Sequence, residues 1–112
     1  MNTKELARNG EDAAVALLVE RGYQIVGRNV RLPGGEIDVV ARDGETIVFV
    51  EVKARQSHRY GSALGAVDAR KRRTLRKLAA EWMQLFAPRA YARFDVVAAD
   101  GARLAHYRDA FQ

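Results

Sequence analysis

Residues 35–53 read Gly35-Glu36-Ile37-Asp38-Val39-Val40-Ala41-Arg42-Asp43-Gly44-Glu45-Thr46-Ile47-Val48-Phe49-Val50-Glu51-Val52-Lys53. Asp43-Gly44 between two apolar runs is a strong short-range hairpin signal, so Glu36–Arg42 and Thr46–Lys53 are predicted strands. The second run is apolar on both faces as far as Val50, which predicts a central strand covered on both sides. Pairing about a two-residue Asp43-Gly44 loop sets Arg42 opposite Glu45, Val40 opposite Ile47, Asp38 opposite Phe49 and Glu36 opposite Glu51. Cross-strand partners project to the same side, so Glu36, Asp38, Glu51 and Lys53 share one face. Asp38 and Glu51 become diagonal neighbours, about 7–8 Å apart at Cα. A slip of one residue would send them to opposite faces.

Upstream, Leu6, Gly10, Ala13, Ala14, Leu17 and Leu18 recur near helical spacing, predicting an amphipathic helix over Glu5–Glu20 that closes at Arg21-Gly22. Tyr23–Asn29 reads as a first strand and Leu32-Pro33-Gly34-Gly35 as a turn. Downstream, Gln56–Gly65 is a polar loop. A second helix runs from Asp68, a suitable N-cap, to Phe86, with Pro88 beyond its end. Its apolar stripe is Leu75, Leu78, Ala79, Trp82, Leu85 and Phe86. Arg93–Ala98 and Arg103–Arg108 read as further strands, the latter after an Asp100-Gly101 turn. The order helix, three strands, helix, strand predicts an α/β fold: a mixed sheet flanked by helices, with the long helix as a crossover.

With 112 residues the chain accommodates one domain, residues 1–112. It has no cysteine, which excludes disulfides and thiolate metal sites. No apolar run approaches membrane-spanning length, and the N-terminus lacks a signal-peptide layout. The expected location is the cytoplasm. A net charge of +5 favours polyanionic partners.

Buried or half-buried charge is costly unless it is paired or binds a metal. Three carboxylates and a lysine on one face of an apolar hairpin suit a Mg²⁺ (or Mn²⁺) site, with Asp38 and Glu51 as ligands. Such an ion takes one or two carboxylates, with water and phosphate completing its shell. It activates water and polarises a phosphoryl oxygen. Lys53 would lie beside that water, able to orient it or to stabilise charge developing on phosphorus. A lone Glu-x-Lys is common in strands and is no more than a wet strand end. Here it terminates a doubly apolar strand and faces Asp38.

Glu11, Gly35-Glu36-Ile37-Asp38, Phe49-Val50-Glu51-Val52-Lys53-Ala54-Arg55, Tyr60-Gly61 and Arg93-Phe94-Asp95-Val96-Val97 together resemble the YraN family of bacterial proteins, across nearly the whole chain. The resemblance implies a restriction-endonuclease-like αβββαβ core of the PD-(D/E)XK type, similar to archaeal Holliday junction resolvases. It implies Asp38 and Glu51 as metal ligands, Lys53 as the catalytic lysine and Glu11 as an acidic residue supplied by the first helix. Glu36, auxiliary here, stands where the nuclease motif has proline, as it does in the family itself, and Tyr60 stands where phenylalanine is usual.

Arg70, Lys71, Arg72, Arg73, Arg76 and Lys77 crowd the start of the second helix, where cations oppose the macrodipole. A solvated face is the ordinary reading of a charge run, but phosphate contact suits this one. Arg55, Arg59 and Tyr60 follow the carboxylates and are candidates for backbone contact and base stacking. His58 and His106 lack ligand spacing, and Trp82 reads as core. Asp95 reads as either a supporting residue or an ordinary exposed position in a strand. The expected function is Mg²⁺-dependent endonucleolytic hydrolysis of DNA, with a branched or structured substrate implied by the resemblance. A twofold dimer would suit symmetric cutting. The alternatives are a nucleic-acid-binding accessory module without strong catalysis, and a small basic protein-interaction domain.

Overall fold

A computed structural model describes residues 2–55, 67–101 and 103–112. The elements are α1 (Thr3–Glu20), β1 (Gln24–Leu32), β2 (Gly35–Asp43), β3 (Thr46–Arg55), α2 (Ala69–Phe86), β4 (Tyr91–Asp100) and β5 (Arg103–Phe111). The five strands form one mixed sheet in the order β1-β2-β3-β4-β5. Only β3 and β4 run parallel, and α2 lies in the connection between them. The expected αβββαβ core is present, with β5 added beyond β4 as an antiparallel edge.

Each face of the sheet is covered by one helix. Ala14 and Leu18 of α1 pack on Val39, Ala41, Val48, Val50 and Val97. On the opposite face, Leu78, Ala79 and Trp82 of α2 pack on Ile37, Val40, Ile47 and Phe49. Leu75 joins Val96 and Phe111 in a third cluster. Residues 47–50 of β3 are therefore all buried, as a strand apolar on both sides requires. Trp82 is core, edge-on to Phe49 at 5.7 Å between ring centroids. Asp68 caps α2, its carboxylate accepting the Lys71 N–H at 2.9 Å. Among the described residues, no helix is long and apolar enough to cross a membrane.

The hairpin register differs from expectation by two residues. Asp43 pairs with Thr46, Val40 with Phe49 and Val39 with Val50. The turn is thus Gly44-Glu45, with Gly44 at φ +61° in its first central position, a left-handed conformation that glycine adopts at no steric cost. Asp43, released from the turn, pairs with Arg93 at 2.9 Å and Arg108 at 3.2 Å. An even shift leaves the paired residues 39–43 and 46–50 on their expected faces.

Asp95 is fully buried, which removes the exposed position from the two readings of this residue. It receives Tyr23 Oη at 3.0 Å, Arg93 Nε at 3.0 Å and the Asp109 N–H at 3.0 Å, and contacts His106 Nε2 at 2.8 Å. Arg21 reaches His106 Nδ1 at 2.9 Å. A guanidinium only donates, so Nδ1 accepts and Nε2 carries the proton that His106 gives to Asp95. Arg93 also donates to Tyr23 Oη. This network ties the connection between α1 and β1 to β4 and β5 through buried charge.

Candidate active site

The site forms where β2 and β3 part. Their pairing ends at Val39 and Val50, so continuing the register brings Asp38 level with Glu51. There the Asp38 carboxylate, in place of a backbone carbonyl, accepts the Val52 N–H at 2.8 Å. On the other side, the pairs Arg28–Val39 and Val30–Ile37 bracket Asn29 opposite Asp38, and Asn29 has φ +50°. Ile37 and Val40, three residues apart, pack in the same cluster, so alternation along β2 slips by one step at this point. The distortion opens the sheet to groups from both flanking helices.

Glu11 of α1, Asp38, Glu51, Val52, Lys53 and Ala54 line one cleft of about 280 Å³. Glu51 is 6% exposed. Burial, together with the charge of Asp38, pushes its carboxyl up to about 7, and the two carboxyls lie within hydrogen-bonding reach. Lys53 Nζ stands 4.0 Å from one Glu51 oxygen and Lys71 Nζ 3.7 Å from the other. Glu11 is raised above the usual carboxylate range by burial and by Asp38, while a hydrogen bond from Asn29 pulls the other way.

Four of the expected residues therefore converge: Glu11, Asp38, Glu51 and Lys53. Glu36 does not join them. Its nearest ion-pair partner is Arg31 on β1, at 3.8 Å, because the actual register sets Asp38 and not Glu36 level with Glu51. Arg55 is the last residue of β3, where its carbonyl accepts the Gly101 N–H at 2.8 Å. Arg59 and Tyr60 lie outside the described residues. Of the basic cluster on α2, Arg70 and Arg73 are exposed. Arg72 turns inward, donating to the Val67 carbonyl at 2.8 Å and lying over the Phe111 ring. Lys71 alone of these four reaches the carboxylates.

Sequence reasoning did not assign Asn29 or the direct Lys71–Glu51 contact. Asparagine tolerates positive φ better than most residues, but nothing local marks this one as the partner of Glu11. The Lys71 contact depends on how α2 docks, which no spacing within α2 encodes.

Two adjacent carboxylates in a largely buried setting repel unless a proton or a cation lies between them. The donor set therefore fits a hard divalent ion. Among the described residues no three His, Asp or Glu side chains form a preformed cage, and Mg²⁺ needs none, since water and phosphate complete its shell.

Residues 10–99 match the profile of UPF0102, described as an uncharacterised protein family. The chain is 38% identical over 107 residues to a UPF0102 protein of Thermodesulfovibrio yellowstonii, covering 96% of both. It is 49% identical over 100 residues to one from Moorella thermoacetica, covering 88% of this chain and 82% of that protein. A relative from Shewanella loihica is 43% identical over 104 residues, covering 93% and 91%. The matched segment contains Glu11, Asp38, Glu51, Lys53 and Lys71, and the chain belongs to the UPF0102 family, the YraN family that its motifs resemble.

Proposed function

We propose that this protein is a Mg²⁺-dependent endonuclease that hydrolyses phosphodiester bonds in DNA, in branched or otherwise structured form. The observation that carries the reading is the adjacent carboxyl pair, half-buried Asp38 and buried Glu51, with two lysines beside Glu51 at a cleft. Asp38 and Glu51 would hold Mg²⁺. The bound ion supplies positive charge to the phosphate and lowers the pKa of attacking water.

The chain's own groups account for the rest. Asp38 is fixed by its bond to the Val52 N–H, which holds its carboxylate beside Glu51. Lys53 projects from the same strand end as Glu51 and can donate to the attacking water or to a non-bridging phosphate oxygen. Glu11 faces the cleft from α1 with a raised proton affinity, suited to relaying the proton that water loses. Water oxygen bonds to phosphorus, one P–O ester bond breaks, and the leaving oxygen takes up a proton. Arg70 and Arg73, exposed beside Lys71, supply sequence-independent backbone contact. The resolvase-like resemblance suggests the branched substrate.

The test is cleavage of labelled single-stranded, duplex, flap and four-way-junction DNA with Mg²⁺ or Mn²⁺. Wild type is expected to cut at least one of them. Asp38→Ala is expected to abolish cutting, and Lys53→Ala to slow it by about 10²–10³-fold. Binding without cutting, unchanged in Asp38→Ala, would replace this reading with that of an accessory nucleic-acid-binding module.

A further inference from the structure

Glu51 carries an ammonium group on each oxygen, and the two have different origins. Lys53 is its neighbour on β3, brought alongside by strand periodicity. Lys71 comes from the first turn of α2 on the sheet's other layer. That position is unfavourable for a cation, because the free N–H groups and the macrodipole make a helix N-terminus positive. The first turn of α2 itself contains no acidic residue, and the carboxylate of the N-cap Asp68 is engaged by the Lys71 backbone N–H. Arg72, one residue on, is occupied by the Val67 carbonyl and the Phe111 ring. The ion-pair partner of Lys71 is Glu51.

The pair is loosely made. Its 3.7 Å separation, and the 4.0 Å of Lys53, exceed the 2.7 Å of Arg28 with Asp12 and the 2.9 Å of Arg93 with Asp43. Charged hydrogen bonds lie near 2.7–2.9 Å, so the lysines neutralise Glu51 without clasping it. The Lys71 side chain is 39% exposed, so its ammonium can leave for the cleft without crossing the core.

We infer that Lys71 is an exchangeable counter-ion of Glu51: a divalent cation binding Asp38 and Glu51 competes with it, and the released ammonium becomes available to a phosphate of the substrate. Lys71 is thus a positioning residue that couples occupancy of the carboxylates to capture of the phosphate. The inference rests on the proposed metal site, but its test does not require cleavage.

Mn²⁺ binding is measured by calorimetry at pH 8.5 on wild type, Lys71→Met, Lys71→Arg and Lys77→Met, with circular dichroism and thermal unfolding as checks on folding. Lys71→Met is expected to bind Mn²⁺ roughly tenfold more tightly, the scale set by removing a unit charge a few ångströms from a divalent ion. Lys71→Arg, which keeps the charge, is expected to stay near wild type. Lys77→Met removes an exposed charge elsewhere on α2 and is expected to change affinity by less than about twofold, as solvent screening dictates. Lys71→Gln replaces Lys71→Met if the latter fails to fold.

Tighter binding confined to the charge-removing variant at position 71 supports the exchange. Unchanged or weaker binding in that variant overturns it while leaving the metal site intact. No binding by wild type overturns the metal site and the exchange together.

Discussion

Asp95 lies at the centre of the buried network while carrying a full charge. Burial alone would raise its carboxyl, but hydrogen bonds from His106, Arg93 and the Asp109 N–H outweigh that and hold it down to about 2. A carboxylate depressed from an ordinary value of 3.8 contributes stability above that value and loses it as pH falls toward 2. The difference corresponds to about 2 kcal/mol at neutral pH. Asp95→Asn is therefore expected to cost roughly 3 kcal/mol at pH 7, since Arg93 is left with unmet charge. It is also expected to flatten the acid limb of stability between pH 4 and pH 2, as measured by urea unfolding across that range. This residue was not legible in the sequence. An aspartate in an alternating strand looks exposed until β5 and Tyr23 are known to close over it. Glu51 and Lys53 were legible because the apolar run of β3 leads directly to them, and Asp38 because the hairpin sets it across from Glu51. Lys71 was read as one basic residue among six, and only the docking of α2 sets it apart.

At the scale of elements, the seating of α1 on β3 depends on Gly10. A Cβ placed there would stand 2.6 Å from the Ala54 Cβ, closer than two methyl groups can approach. Neither atom lies at the end of a flexible side chain, so α1 would have to move away and carry Glu11 with it. Gly10→Ala gains about 1 kcal/mol in helix propensity and incurs about 1–3 kcal/mol of overpacking. A net loss of stability is expected in chemical denaturation, together with weaker Mn²⁺ binding. Adding Ala54→Gly is expected to recover the metal affinity, because the space returns on the other side of the contact. A double variant no better than Gly10→Ala would show that this contact does not set the position of Glu11. The helices and strands themselves follow from periodicity and end signals in the sequence. The hairpin register does not, because Asp43-Gly44 and Gly44-Glu45 are both acceptable turns locally. Long-range ion pairs of Asp43 with Arg93 and Arg108 favour the second.

In the whole molecule the strands lie side by side in the order in which the chain presents them. Three of the four pairings, β1–β2, β2–β3 and β4–β5, join strands adjacent in sequence and antiparallel. The fourth, β3–β4, is parallel and spans the crossover that contains α2. Hairpins form on the microsecond scale, whereas a long connection must lose its closure entropy before parallel pairing repays it. The slow step of folding should therefore be the meeting of β4 with β3. Val96→Ala, at the buried centre of β4, is expected to slow folding. Phe111→Leu, at the end of the edge strand β5 and away from the β3–β4 seam, is expected chiefly to speed unfolding. Stopped-flow folding and unfolding rates across denaturant would separate the two, and equal effects of both variants on the folding limb would contradict the order. Asp38, Glu51 and Lys53 lie on the β2–β3 hairpin, whereas Lys71 lies on the crossover helix, so the rate-limiting closure is also the step that brings the second ammonium to Glu51. The carboxyl pair thus comes together early, and its second counter-ion arrives late.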